Sequence, residues 1–188
     1  MALFEFITVM ISVILALAAA QLLLGLAPLL QTRHEVRLSG THAAWVGSVF
    51  LITFLHWWSL WDFRDLDWTF PMFALSLVGP ALLFFAATLI NPRDTSSDPI
   101  DLAEHFRDVR RPFLIVILLA MVFLTVDGPL FGTEPPVNRL RFAQAGVIGM
   151  TGLGIASASD RVQVVVAFLT LALAVLAATS RLLPGTVL

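Results

Sequence analysis

Long apolar stretches alternate with short polar connections along the whole chain of 188 residues. A helix that crosses the hydrocarbon core of a bilayer, which is about 30 Å thick, needs about 20 mostly apolar residues. Stretches that meet or approach this length recur along residues 1–188, so the pattern predicts one all-α integral membrane domain with six transmembrane helices. The predicted spans are 3–30, 42–61, 70–90, 112–131, 142–158 and 162–182.

The longest polar connection covers residues 91–111, between the third and fourth predicted spans. Asp98, Pro99 and Asp101 are typical of a helix start, because carboxylates favour a helix N-terminus and proline fits the first turn. Apolar residues then recur at helical spacing opposite a charged face. This pattern predicts a short amphipathic helix over about 98–111 that lies on the membrane surface and turns into the fourth span.

A proline lies in the middle of the third span. Pro80 has no backbone N–H, so it removes one helical hydrogen bond and leaves the Ser76 carbonyl without its usual donor. Thr69 and Pro71 suit the start of the same helix, as a cap and a first-turn residue. We expect a kinked helix in which Pro80 has a structural role.

The composition agrees with this class of protein. Hydrophobic residues make up 59% of the chain and charged residues 13%, against about 25% charged in a typical soluble domain. Together with a mean hydropathy of +0.91, this excludes a soluble domain, a disordered chain and a disulfide scaffold. The chain has no cysteine, and its arginines are balanced by acids to a net charge of −2, so we expect neither thiolate chemistry nor a nucleic-acid partner.

The arginines are divided unequally between the two sides that six spans define. Seven fall on the side of the 31–41, 91–111 and 159–161 connections and four on the side of the termini, which predicts that both termini lie outside. The HxxW pattern at His42, the WTFP stretch at 68–71 and the DLAEHF stretch at 101–106 resemble sequences of bacterial inner-membrane proteins. That resemblance implies a location and no activity.

Small residues form a stripe along the fifth span. They are spaced four, three, four and three residues apart, which places them on one helix face and predicts close helix packing. Both the sixth span and a second copy of the chain are open as the partner, and a closed homo-oligomer would use the second. The stripe consists of Ala145, Gly149, Gly152, Ala156 and Ser159.

Ionisable residues within the spans mark a candidate ion path, since a charge in hydrocarbon is costly unless it is paired or functional. The apolar run 113–126 rises only about 21 Å as a helix, so Asp127 lies within the membrane profile or at a recessed interface, at a helix break over 128–129. His56 lies inside the second span and titrates near neutral pH. We expect Asp127 to bind or relay the ion, His56 to gate, and Glu5 to contribute to the same path.

Acidic residues follow the second span on the side with fewer arginines. Asp62, Asp65 and Asp67 would form an acidic mouth that concentrates cations. The leading hypothesis is therefore a small oligomeric channel or transporter for a cation, protons included. The alternative is a non-transporting scaffold, assembly or sensing subunit that docks a protein partner through residues 91–111.

Catalytic, phosphate-binding and lipidation motifs are missing from the sequence. His42 and His56 are 14 residues apart on one helix face, as haem ligands are in b-type cytochromes, but His34 and His105 lie in polar connections where they would not complete such a site. We expect no enzymatic activity, no metal and no cofactor. The expected partners are the lipid bilayer and further copies of the chain.

Overall fold

A computed structural model describes residues 3–31, 36–92, 100–132 and 139–182, without the side chains of 28–31, 139 and 180–182. The fold is all-α apart from one pair of two-residue strands. Helix α2 lies in the middle of the bundle, where it contacts α1, α4, α5 and α7. In chain order the elements are α1 (Leu3–Gln31), β1 (Val36–Arg37), α2 (Gly40–Ser59) with a 3₁₀ turn (Leu60–Phe63), α3 (Phe70–Ser76), α4 (Val78–Ile90), β2 (Ile100–Asp101), α5 (Leu102–Phe131), α6 (Arg139–Ala156) and α7 (Asp160–Leu182).

Five helical segments of the described chain are long and apolar enough to cross a membrane, so the protein is membrane-embedded. The third of them combines α3 and α4. The apolar part of α6 is shorter, Leu140–Ala156, and the count of six crossings therefore stays a prediction. The five segments are Leu3–Ala27, Gly40–Phe63, Phe70–Ile90, Leu102–Phe131 and Asp160–Thr179.

The third span is interrupted where its proline predicts. Helix α3 ends at Ser76, the residue whose carbonyl Pro80 leaves without a helical donor, and α4 begins at Val78. The Ser76 hydroxyl donates to the Phe73 carbonyl at 2.8 Å. The interruption of the helix at Leu77 therefore agrees with the missing proline N–H.

The structure differs from the prediction over 98–111. Instead of a separate surface helix, the described part of this stretch forms the first turns of α5, which continues without interruption through Pro112. One proline on an exposed helix face removes a single hydrogen bond, which the long helix tolerates. Its 30 residues rise about 45 Å, more than the hydrocarbon thickness, so the charged first turns extend beyond the apolar layer. Asp98 and Pro99 lie outside the described residues.

Asp101 is the N-cap of α5 and not a first-turn residue. Its carboxylate accepts the backbone N–H groups of Ala103 at 2.9 Å and Glu104 at 3.1 Å. The bond from Glu104 is the largest cause that lowers the pKa of the Asp101 carboxyl; partial burial opposes it, and Ala103 and the guanidinium of Arg37 add to the lowering. The cap therefore holds best when Asp101 is ionised.

Three connections meet at one end of the bundle, which we call the arginine-rich end. β1 and β2 pair in parallel, and Arg37 forms an ion pair with Asp101 at 3.7 Å, so the connections after α1 and α4 lie together. The connection from α6 to α7 joins them, because Arg107 forms an ion pair with Asp160 at 3.1 Å. This grouping agrees with the side that the arginine count defines.

The opposite end, which we call the acidic end, carries the connections after α2 and α5. The rings of Phe63, Trp68 and Phe131 form a cluster there, with centroids 5.9 to 6.4 Å apart. Trp58 and Trp61 on the same side are exposed, as is common where tryptophan meets the bilayer boundary. The aromatic cluster therefore connects the chain after α2 to the end of α5. The candidate site lies between these two helices.

Helix α1 approaches α4 closely at one glycine. The Asn91 amide donates to the Gln21 carbonyl on α1, and a Cβ atom at Gly25 would overlap the Asn91 side chain. Only glycine leaves room for this bond. The contact positions the arginine-rich end of α4 against α1.

Helix α6 packs against its neighbours through a face other than the predicted stripe. A Cβ atom at Gly146 would lie 3.0 Å from Leu173 of α7, and one at Gly154 would lie 3.1 Å from Leu114 of α5. At Gly149 and Gly152 a Cβ atom would meet no described atom within 4 Å. Within one chain the hairpin with α7 therefore does not use the stripe, and packing of the stripe against a second copy stays a prediction. Ala145, Ala156 and Ser159 are exposed as well.

Candidate functional site

A cavity of about 70 Å³ lies near the acidic end, between α2, α5, α6 and α7. Most of its wall is apolar, from residues such as Leu124 and Ala174. A volume of this size has room for a few water molecules. The polar residues that line it are His56, Ser59, Asp127, Arg141 and Gln144.

The cavity brings together two of the residues that the sequence predicts for an ion path. His56 comes from α2 and Asp127 from α5, and both are buried, with 9% of their surface exposed. They lie 71 positions apart in the sequence, so only the packing of the two helices makes them neighbours of one cavity. The carboxylate of Asp127 accepts the backbone N–H of Gly128 at 2.7 Å.

Helix α5 does not break at 128–129 as expected. It continues through Pro129 to Phe131 and ends at Gly132, whose φ of 73° is the left-handed conformation that favours glycine at a helix end. Because Pro129 has no N–H, the Thr125 carbonyl four residues earlier has no helical donor. Polar groups from another helix therefore have an acceptor to bind here.

Arg141 of α6 supplies the missing donor. Its guanidinium donates to the carbonyls of Thr125 and of Leu124, the latter at 3.2 Å, and to the Gln144 side chain at 3.0 Å. The Gln144 amide in turn donates to the Leu124 carbonyl at 3.1 Å. Arg141 is buried, so a fixed positive charge forms part of the cavity wall.

The imidazole of His56 has a different environment. Its Nε2 atom is buried and has no hydrogen-bond partner among the residues that the structure describes. The backbone carbonyl of His56 accepts the Ser59 hydroxyl at 2.7 Å. His56 therefore contributes to the cavity wall an imidazole whose Nε2 atom no described residue binds.

The remaining predicted ion-path residues lie outside the cavity. Glu5 is exposed on the first turn of α1 and is absent from the cavity wall. Asp65 forms an ion pair with the adjacent Arg64 at 3.2 Å. Asp62 lies within the 3₁₀ turn from which Phe63 reaches the cavity, and Asp67 lies in the connection after that turn. An acidic approach to the cavity stays a prediction.

The other described histidines lie at the arginine-rich end. The Nε2 atoms of His42 and His105 are 2.9 Å and 3.1 Å from the same Ile90 carbonyl, and their rings meet edge to face. Both imidazoles thus bind the carbonyl of Ile90, the last residue of α4. His42 and His56 lie at opposite ends of α2. His42 has a structural role at the end of α4, whereas His56 lines the cavity.

The sequence alone did not predict that Arg141 and Gln144 bind the same stretch of α5. One sequence feature that indicates their joint role is their spacing of three residues, which places both on one helix face. The second signal was Pro129, since the carbonyl it frees must find a donor elsewhere.

Comparison with protein-family models, with curated proteins and with solved structures gives no match. The function of the site is therefore argued from its geometry.

Proposed function

We propose that the protein moves protons across the membrane, as a small channel or transporter. The observation that carries this proposal is the cavity that His56 and Asp127 share within the helix bundle. Carboxylates and imidazoles are the side chains that form proton relays within membrane proteins. A proton on Asp127 would pass through water in the cavity to Nε2 of His56, and the reverse transfer would complete the exchange.

The geometry favours protons over metal cations. The described cavity wall offers one carboxylate and one imidazole in place of the ring of oxygens that a cation filter needs. Protons need only a chain of polar groups and water.

The distribution of charge and of small residues supports an orientation in the membrane and an assembly with further copies. The arginine-rich end faces the cytoplasm and both termini lie outside, in the inner membrane of a bacterium. The open face of α6 around Gly149 and Gly152 supports assembly with further copies of the chain, because small residues allow helices to approach closely.

The scaffold hypothesis has less support. It requires the 91–111 stretch to present polar groups to a partner, yet several of those groups bind within the chain. Arg107 pairs with Asp160, His105 binds the Ile90 carbonyl, and Asp101 caps its own helix. These bonds stabilise the start of α5 and leave it less free for docking.

Reconstitution of the native protein tests the proposal. Proteoliposomes with an imposed pH gradient, potassium with valinomycin to clamp the membrane potential, and a trapped pH-sensitive dye report proton influx. We expect influx well above that of empty liposomes, and no sodium flux under a matched sodium gradient. Proton influx equal to that of empty liposomes would refute the proposal, and sodium flux would replace it by a general cation pathway.

A further inference from the structure

A second cavity, of about 170 Å³, lies at the arginine-rich end between the starts of α2, α5 and α7. It is at the opposite end of the bundle from the proton-transfer cavity and shares no residue with it. Thr41 contributes from α2, Arg107 and Arg110 from α5, and Asp160 and Gln163 from α7. The proposed proton transfer does not involve this cavity.

The charge of the cavity suits an anion with a single negative charge. Arg107 and Arg110 carry two positive charges, and Asp160, which pairs with Arg107 at 3.1 Å, offsets one. Arg110 donates to the Ala158 carbonyl at 3.3 Å, which directs its guanidinium toward the start of α7. The N-terminal turns of α2 and α7 also line the cavity, and helix N-termini attract anions.

Gln163 provides an independent indication of a ligand. Only 3% of this residue is exposed, and its amide donates to the carbonyls of Gly154 and Ser157, both at 2.8 Å. Its Oε1 atom accepts no hydrogen bond from any residue that the structure describes. A buried acceptor without a donor is costly, so Gln163, which lines this cavity, carries an oxygen whose hydrogen-bonding capacity no described residue uses.

The location restricts the ligand to the membrane boundary. Phe106 and Val164 give the cavity apolar walls, and Asp160 begins the membrane-crossing part of α7. Arginines at this level face the phosphate layer of the bilayer, and anionic lipids are concentrated in the cytoplasmic leaflet. A soluble anion would need no apolar wall.

We propose that this cavity binds the headgroup of an anionic phospholipid whose headgroup bears a hydroxyl, of the phosphatidylglycerol class. The phosphodiester carries one negative charge and contacts Arg110 beside the starts of α2 and α7. The headgroup hydroxyl donates to Oε1 of Gln163, and the first carbons of the lipid lie against Phe106 and Val164. The site does not depend on the proposed proton transfer.

Native mass spectrometry of the full chain in detergent tests the site with short-chain lipids. We expect one tightly bound phosphatidylglycerol, and binding about tenfold weaker in Arg110→Gln. The matched control is Arg64→Gln, an exposed arginine at the acidic end, which should bind as the native protein does. Equal loss of binding in both variants, or no loss in either, would overturn the proposal.

Two further ligands test Gln163 and the lipid source without any change in the protein. Phosphatidylmethanol has the same charge and no headgroup hydroxyl, so its binding should be about fivefold weaker than that of phosphatidylglycerol. Equal binding of the two lipids would remove Oε1 of Gln163 from the site and refute the assignment. Inorganic phosphate that binds as tightly as phosphatidylglycerol would identify a free-anion site and refute a lipid site.

Discussion

Replacing Arg141 by methionine lowers the free energy of unfolding by about 3 kcal/mol. The guanidinium donates to the carbonyls of Leu124 and Thr125 and to Gln144. Methionine fills a similar volume but has no donor, so the Thr125 carbonyl, which Pro129 already deprives of its helical donor, loses a partly buried hydrogen bond. Gln144 continues to bind the Leu124 carbonyl, which limits the loss.

Equilibrium unfolding of the purified protein in mixed micelles measures this effect. Arg64→Met is the matched control, because that arginine is half-exposed and pairs with the exposed Asp65, an interaction worth little. Arg141→Lys should be intermediate, since an ammonium group donates to one carbonyl but lacks the planar fork of the guanidinium. Equal unfolding free energies for Arg141→Met and Arg64→Met would show that the contacts between α5 and α6 do not depend on this residue.

Asp127→Asn reduces proton influx to the level of empty liposomes. Asparagine keeps the shape of the side chain and an oxygen that accepts the Gly128 N–H, at present 2.7 Å from the carboxylate. It does not titrate, so the cavity loses its acid while the fold is retained. Asp127 is the only carboxylate among the described residues that line the cavity. Without it, no other carboxylate of this wall can take over the proton transfer.

The control for this variant is Asp65→Asn at the same end of the bundle. Asp65 is exposed and pairs with Arg64 outside the cavity, so its replacement should leave proton influx within about twofold of native. Both variants are compared at equal protein incorporation, by the same trapped-dye measurement. Native influx in Asp127→Asn would exclude this carboxylate from the path.

The sequence was sufficient to predict the class of fold and the two titratable residues of the cavity. Ionisable residues are rare within apolar spans, so Asp127 and His56 are visible as exceptions. Their shared cavity was not predictable, because it depends on how α2 and α5 cross and on how α6 and α7 enclose the space. Glu5 carries the same local signal as Asp127, yet it is exposed and does not line the cavity.

Two differences from the predictions have a common cause in the packing of neighbouring helices. The stretch after Leu102 has an amphipathic pattern, which a surface helix and the projecting start of a long span satisfy equally well. The contact of Arg107 with Asp160 favours the second. Likewise Gly146 and Gly149 look alike in sequence, but only Gly146 meets α7. Helical periodicity defines the faces of a helix but does not determine which face packs against a neighbouring helix.

Chemical block of the cavity shows whether protons cross the membrane through the space that His56 and Asp127 line. The native chain has no cysteine, so a single cysteine reports one position only. Ala143→Cys places a thiol in the cavity wall, while Thr69→Cys places one on the exposed start of α3. Proton influx is measured before and after labelling with a membrane-impermeant methanethiosulfonate reagent that carries a quaternary ammonium group.

A path through the cavity predicts native influx for both unlabelled variants. After complete labelling, influx through Ala143→Cys should fall to that of empty liposomes, because the attached cation fills the space between His56 and Asp127. Influx through labelled Thr69→Cys should remain unchanged. Unchanged influx through fully labelled Ala143→Cys would contradict the account, since protons would then cross without this cavity.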